Sequence, residues 1–278
     1  MEAMDDEFTC AFGTLFTKNM PHVLENIFFC LDYESYKTCL EVCKTWNELL
    51  TSKSYQVKGK SVYHDEILMD EYLLEYATRT DNKYEVRKLL STCLVNINCV
   101  RICIGYTPLL KASQMGHKDV VKLLLNKGAD PNKAGRLLGT PLHVGAKGGY
   151  RDVVQLLLDR GADLESKDKW EQTPLHKAVI EGHKHVVQLF LDRGADPNMA
   201  DENGSTPLHN AEGESCRDVV QLLLDNGADP NRIDKDGNTP LQLAAERGLK
   251  DVVQLLLERG ADPNKAFGAG CTGCCRLS

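Results

Sequence analysis

Along the second half of the chain, apolar positions fall into two alternating runs. A Thr-Pro-Leu start opens a short run rich in apolar and small residues: TPLLKAS, TPLHVGA, TPLHKAV, TPLHNAE and TPLQLAA. A second, more apolar run follows each of them: VVKLLL, VVQLLL, VVQLFL, VVQLLL and VVQLLL. The threonines stand at 107, 140, 173, 206 and 239, so every spacing is 33 residues. A fixed period of this length predicts a stack of similar units, each burying its apolar face against the next.

One unit can be derived from its residues. Thr is a good helix N-cap and Pro fits the first helical position, so Thr-Pro starts a helix. That helix carries small residues (Ala112, Gly145, Ala178, Ala211, Ala244) that allow close packing. The Val-Val-x-Leu-Leu-Leu run forms a second helix, ended by Gly128, Gly161, Gly194, Gly227 and Gly260. The Ala-Asp-x-Asn that follows turns the chain into the next hairpin. These residues, above all T-P-L-H-x-A-A, resemble the ankyrin repeat in five units over about 102–266. The resemblance implies an all-α fold, a solenoid of helix pairs joined by short hairpin loops. It also implies a degenerate capping repeat at 70–101, with LLEYA for the first helix and EVRKLLSTCLVNIN for the second helix and turn.

The stretch PHVLENIFFCLDYESYKTCLEVCKTW, from Pro21 to Trp46, has a different pattern. Leu24, Ile27, Phe28 and Leu31 share one helical face, and a second series runs from Tyr36 through Leu40, Cys43 and Trp46 to Leu50. So short a segment has little core of its own and needs a partner for its apolar surface. That partner is either the neighbouring repeats, with the segment as an end cap, or another protein. Met20-Pro21, Leu24, Ile27-Phe28, Leu31, Leu40, Val42-Cys43-Lys44 and Trp46 resemble the F-box, in order and separation. Met20 stands where that family has Leu, and Tyr36 where an aliphatic residue is commoner. The resemblance implies a small helical F-box at 19–60 that docks a Skp-family adaptor and, through it, a cullin. Pro21, Leu24, Ile27, Phe28, Leu31, Leu40, Val42 and Trp46 would carry that contact. The chain then divides into an N-terminal tail (1–18), the F-box, a linker (61–69), the capping repeat, the five repeats and a Gly/Cys-rich tail (267–278).

Positions that vary between units point to a target surface. One hairpin position reads Ile104, Leu137, Trp170, Asn203, Asp236, and its neighbour reads Cys103, Arg136, Lys169, Glu202, Lys235. The first-helix position reads Lys111, Val144, Lys177, Asn210, Leu243. Tyr106, Arg136, Leu137, Val144, Lys169, Trp170 and Lys177 together suggest an apolar patch edged with basic residues around the second and third units. Its target would be a protein segment with an apolar anchor and acidic neighbours. An exposed Trp is favoured at interface hot spots, but the ring could equally fold back onto its own hairpin. Leu138 and Glu171 occupy a turn position that is Gly105, Gly204 and Gly237 in the other units. In the fourth unit, Glu212 replaces a small helix residue and Ser215 a turn glycine, which marks that joint as the softest.

Composition narrows the function classes. The 278 residues carry a net charge of -7, which argues against nucleic acid as partner. The first twenty residues lack the layout of a signal peptide, and no apolar run approaches the roughly 18 residues of a membrane span. Eleven cysteines without a secretion signal suggest reduced thiols in the cytoplasm or nucleus. His143, His176 and His209 recur with the TPLH turn and lie too far apart to share a metal; neither a metal nor any cofactor is expected. No catalytic motif is present, so the chain is expected to bind rather than catalyse. The last four residues, Cys275-Arg276-Leu277-Ser278, fit the form that directs prenylation, with Cys271 and Cys274 as palmitoylation candidates. A chance Gly/Cys ending is the alternative; lipidation would place the protein at a membrane. The leading expectation is a substrate receptor of a ubiquitin ligase, and the competitor a scaffold or inhibitor without a ligase.

Overall fold

The computed structural model describes residues 78–91, 97–98, 106–135, 139–211, 213 and 216–265. The chain divides into two units, Met1–His64 and Asp65–Ser278, and every described residue belongs to the second. The F-box positions Pro21, Leu24, Ile27, Phe28, Leu31, Leu40, Val42 and Trp46 lie outside the described residues, as do Cys271, Cys274 and Cys275.

The described residues form ten α-helices and no strand, only an isolated bridge between Gly135 and Gly139. In chain order the helices are α1 (Lys83–Leu89), α2 (Pro108–Met115), α3 (Lys118–Asn126), α4 (Pro141–Lys147), α5 (Arg151–Asp159), α6 (Pro174–Ile180), α7 (Lys184–Asp192), α8 (Arg217–Asp225), α9 (Pro240–Glu246) and α10 (Lys250–Glu258). An inner row stacks α2 on α4 and α4 on α6, while an outer row runs α1, α3, α5, α7, α8, α10. Inner and outer helices of a unit pack antiparallel around Leu109, Leu142, Leu175 and Leu241 and the Val-Val pairs, which are buried or nearly so.

Each inner helix starts where its sequence says it should. Thr107, Thr140, Thr173 and Thr239 are the N-caps, followed by Pro at the first turn. The outer helices α3, α5, α7, α8 and α10 each end at a glycine with φ between 81° and 90°, where a side chain would have room but the left-handed backbone would strain it; α1 ends instead at Leu90.

Two polar bridges join neighbouring units. The Thr140 backbone N–H donates to His143 Nδ1, so the ring proton sits on Nε2, 2.9 Å from the Gln172 carbonyl of the next unit. His176 and His209 repeat this, with Nε2 at 3.2 Å from the Ser205 carbonyl and 3.3 Å from that of Asn238. On the loops after the outer helices, Asn132, Asn198 and Asn231 each donate to a carbonyl one unit on (Gly161, Gly227, Gly260) and accept a backbone N–H there. Glu165 holds the equivalent place in its unit; it accepts from the Asp196 N–H at 2.8 Å but offers no amide donor.

The fourth unit departs from this plan. Pro207–Asn210 forms a turn instead of an inner helix, closed by bonds from His209 N to the Thr206 carbonyl and from Asn210 N to that of Pro207. The cause is local. In the repeat register Glu212, itself outside the described residues, aligns with Ser113, Ala146 and Val179, which are buried, and a carboxylate is costly in such a column. Ser215 falls where Gly116, Gly149, Gly182 and Gly248 take φ of 70–75°. The buried amide nitrogen of Asn210 is left without a hydrogen-bond partner.

Burial fixes how the array responds to acid. His176 is fully buried, and burial pushes its pKa down from 6.5 to about 4; His143 and His209 shift in the same direction for the same reason. The unfolded chain takes up these protons below its ordinary His pKa, whereas the folded array resists, so stability is full above that pH and falls as pH drops toward 4. His176 alone accounts for a loss of about 3 kcal/mol. Urea midpoints measured between pH 7 and pH 4 should fall accordingly. His176→Gln, which copies the Gln242 cap of the last unit, should flatten the profile.

Candidate functional site

The hairpin tips of the third and fourth units carry the exposed groups of interest. Each tip is organised by one aspartate. Asp168 Oδ1 accepts the N–H groups of Trp170 and Gln172 at 2.9 and 3.0 Å. Asp201 does the same for Asn203 and Ser205, and Asp234 for Asp236 and Asn238. The turn this builds needs one left-handed residue. Gly204 and Gly237 supply it with φ of 78° and 83°, but the third tip uses Glu171 at φ 58°. The position read from the sequence as a glycine site is therefore a strained one; Leu138 lies outside the described residues.

The clamp is tightest at the third tip. The Asp168 side chain is 0% exposed, and the Lys177 ammonium reaches its Oδ2 at 2.7 Å. Burial pushes the Asp168 pKa up, but the Lys177 bond and the two backbone N–H groups outweigh it and hold the carboxyl below its ordinary range. Lys177 also donates to Gln172 Oε1 at 2.6 Å, and Gln172 Nε2 donates to Asp201 Oδ2 of the next tip at 3.2 Å. The two tips are joined through backbone as well, Glu202 N donating to the Trp170 carbonyl at 3.0 Å.

Trp170 is 40% exposed, with the Lys169 ammonium 4.0 Å and the Lys177 ammonium 4.8 Å from its ring centroid. The ring leans on lysines at its own hairpin and inner helix, yet stays accessible. Beside it lies an open pocket of about 230 Å³, lined by Trp170, Gln172, Lys177, Glu202 and Asn203.

The structure brings Lys169, Trp170 and Lys177 together, while Tyr106 and Val144, the other described residues expected on this surface, do not line the pocket. Val144 is only 6% exposed, so it belongs to the core and not to an open patch. Tyr106 is half-buried and stands 5.7 Å from the Lys111 ammonium, in the first unit. Arg136 and Leu137 lie outside the described residues. Gln172, Glu202 and Asn203 were not among the residues expected on the surface; Glu202 and Asn203 stood in the two variable hairpin columns, and Gln172 carried no signal. Among the described residues, no group of three or more His, Cys, Asp or Glu could hold a metal ion.

Removing the Lys177 charge should show that it is structural. Lys177→Met leaves the Asp168 carboxylate buried without its cation and should destabilise the array by about 3 kcal/mol in urea unfolding. Adding Asp168→Asn should recover most of that loss. Glu171→Gly should act in the opposite direction, raising stability by about 1 kcal/mol through release of the left-handed strain.

Comparison with protein-family models gives two matches. The model for ankyrin repeats (3 copies) matches at 56–135, 74–168, 142–234 and 175–266, together about three quarters of the chain. The F-box domain model matches at 18–58. A search of curated proteins returned no match. Both matched modules are protein-binding modules.

Proposed function

The chain belongs to the ankyrin-repeat family and carries an F-box ahead of the array, and on that premise we propose that it is the substrate-receptor subunit of an SCF-type cullin-RING ubiquitin ligase. The observation that carries the reading is the pairing of the two modules on one chain. An F-box implies a Skp-family adaptor and, behind it, a cullin. An array of helix pairs supplies a rigid surface on which a second protein can be held, and the exposed Trp170 tip is where this one offers contact. Transfer chemistry then belongs to other subunits. The protein would act in the cytoplasm or nucleus, where an adaptor and a cullin work and where thiols stay reduced.

Affinity capture with a Skp-family adaptor tests this. Wild type should co-purify adaptor and cullin, and the double variant Leu24→Ala, Ile27→Ala should lose both while the array keeps its melting temperature. A wild-type chain that recovers neither would sink the reading and leave a binding scaffold in its place.

A further inference from the structure

The geometry points to a basic side chain, arginine above all, as the guest of the pocket between the third and fourth hairpin tips. This deepens the substrate-receptor reading, on which it rests, by naming the chemistry of the target segment that the array holds.

Most of the polar groups at the pocket are already used within the fold. Lys177 is neutralised: its ammonium is bound by the fully buried Asp168 carboxylate and by Gln172 Oε1. Gln172 is engaged at both ends, its oxygen by Lys177 and its amide nitrogen by Asp201. Lys167, on the same tip, is paired with Glu171 at 3.3 Å. Lys235 points its ammonium at the Glu202 backbone carbonyl, 2.6 Å away, and not at the Glu202 carboxylate. What remains without a polar partner on the pocket wall, among the described residues, is the Glu202 carboxylate and the Asn203 side-chain amide, beside the Trp170 ring that Lys169 and Lys177 flank.

An aromatic face beside a free carboxylate and an amide oxygen is the chemistry that recognises a cation. The carboxylate accepts a guanidinium through two parallel bonds, and the ring takes its flat face. The ring already shows this preference, since Lys169 lies over it at 4.0 Å. Lys169 is exposed and has no carboxylate partner among the described residues, so it can move aside for a guest. The lysines near Trp170 suggest an acidic target when read along the sequence; in the fold Asp168 neutralises Lys177, and the Glu202 carboxylate stands unpaired at the same pocket.

The test uses the full-length chain and two fluorescent decapeptides. They are identical except that the residues flanking a central Leu are Arg in one and Glu in the other. Anisotropy should show binding of the Arg peptide and weaker or no binding of the Glu peptide. Glu202→Gln should weaken the Arg peptide by about tenfold, while Lys169→Ala should leave it unchanged or tighter, because a competitor for the ring is gone. Both substitutions are at exposed side chains, and melting curves check that the array stays folded. An acidic guest gives the opposite signs: Glu202→Gln would tighten and Lys169→Ala would weaken. That pattern, a preference for the Glu peptide, or no binding of either to wild type overturns the inference. Adaptor capture on the same preparations keeps the two ideas apart. A chain that captures the adaptor but ignores the Arg peptide loses only the pocket. One that binds the peptide without the adaptor loses only the ligase.

Discussion

Each unit of this array is too thin to fold alone, so everything depends on the contact between one unit and the next. Apolar burial supplies most of that contact, but it is indifferent to register. The buried imidazoles are not. His143, His176 and His209 each spend Nδ1 on their own helix cap and Nε2 on a carbonyl one unit downstream. If the next unit opened, a buried donor and a buried acceptor would both lose their partner, at about 1–3 kcal/mol for each. The bridge therefore makes opening cooperative as well as fixing the stacking. The end units need a different solution. Leu110 takes the position in the first unit, and Gln242, which caps its own Thr239, takes it in the last.

The fourth unit separates two jobs that the other units combine. On its inner side the helix is missing and Asn210 is left unsatisfied, so packing between the third and fifth inner helices is interrupted. On its hairpin side nothing is lost. Glu202 still bonds to the Trp170 carbonyl, and Lys235 N to that of Asn203 at 2.9 Å, so the tips remain one ladder. The outer row also continues, through α7, α8 and α10. The pocket is lined from the third unit and from this ladder, which is why a weak inner helix does not dissolve it.

What the sequence made legible was what short-range physics decides. Thr-Pro, the terminal glycines and the period of 33 each act within a few residues, and the helices begin and end where they say. Glu171 was legible too, because glycine at the same place in other units declares the backbone the turn requires. Partners across units were not. The TPLH histidines could be placed in their own turn, but their second bond goes 29 residues on. Lys177 stands on a helix face that its spacing leaves open, and only the folded hairpin brings the buried Asp168 beneath it. Val144, on the same face, is closed over. Charge was visible in the sequence; its neutralisation was not.

Two features of the third tip run against stability, and both depend on that neutralisation. Trp170 leaves 40% of a large apolar residue in water, and Glu171 holds a backbone conformation that glycine would hold more cheaply. Neither could persist on a loose loop, which would relax by burying the ring or shifting the turn. Asp168 prevents it by gripping the backbone on both sides of the strained residue while Lys177 pins its second oxygen from the inner helix. A buried ion pair of this kind contributes little net stability compared with an apolar pair. Its effect here is to hold one conformation, and the conformation it holds is the one that keeps an indole at the surface beside an unpaired carboxylate.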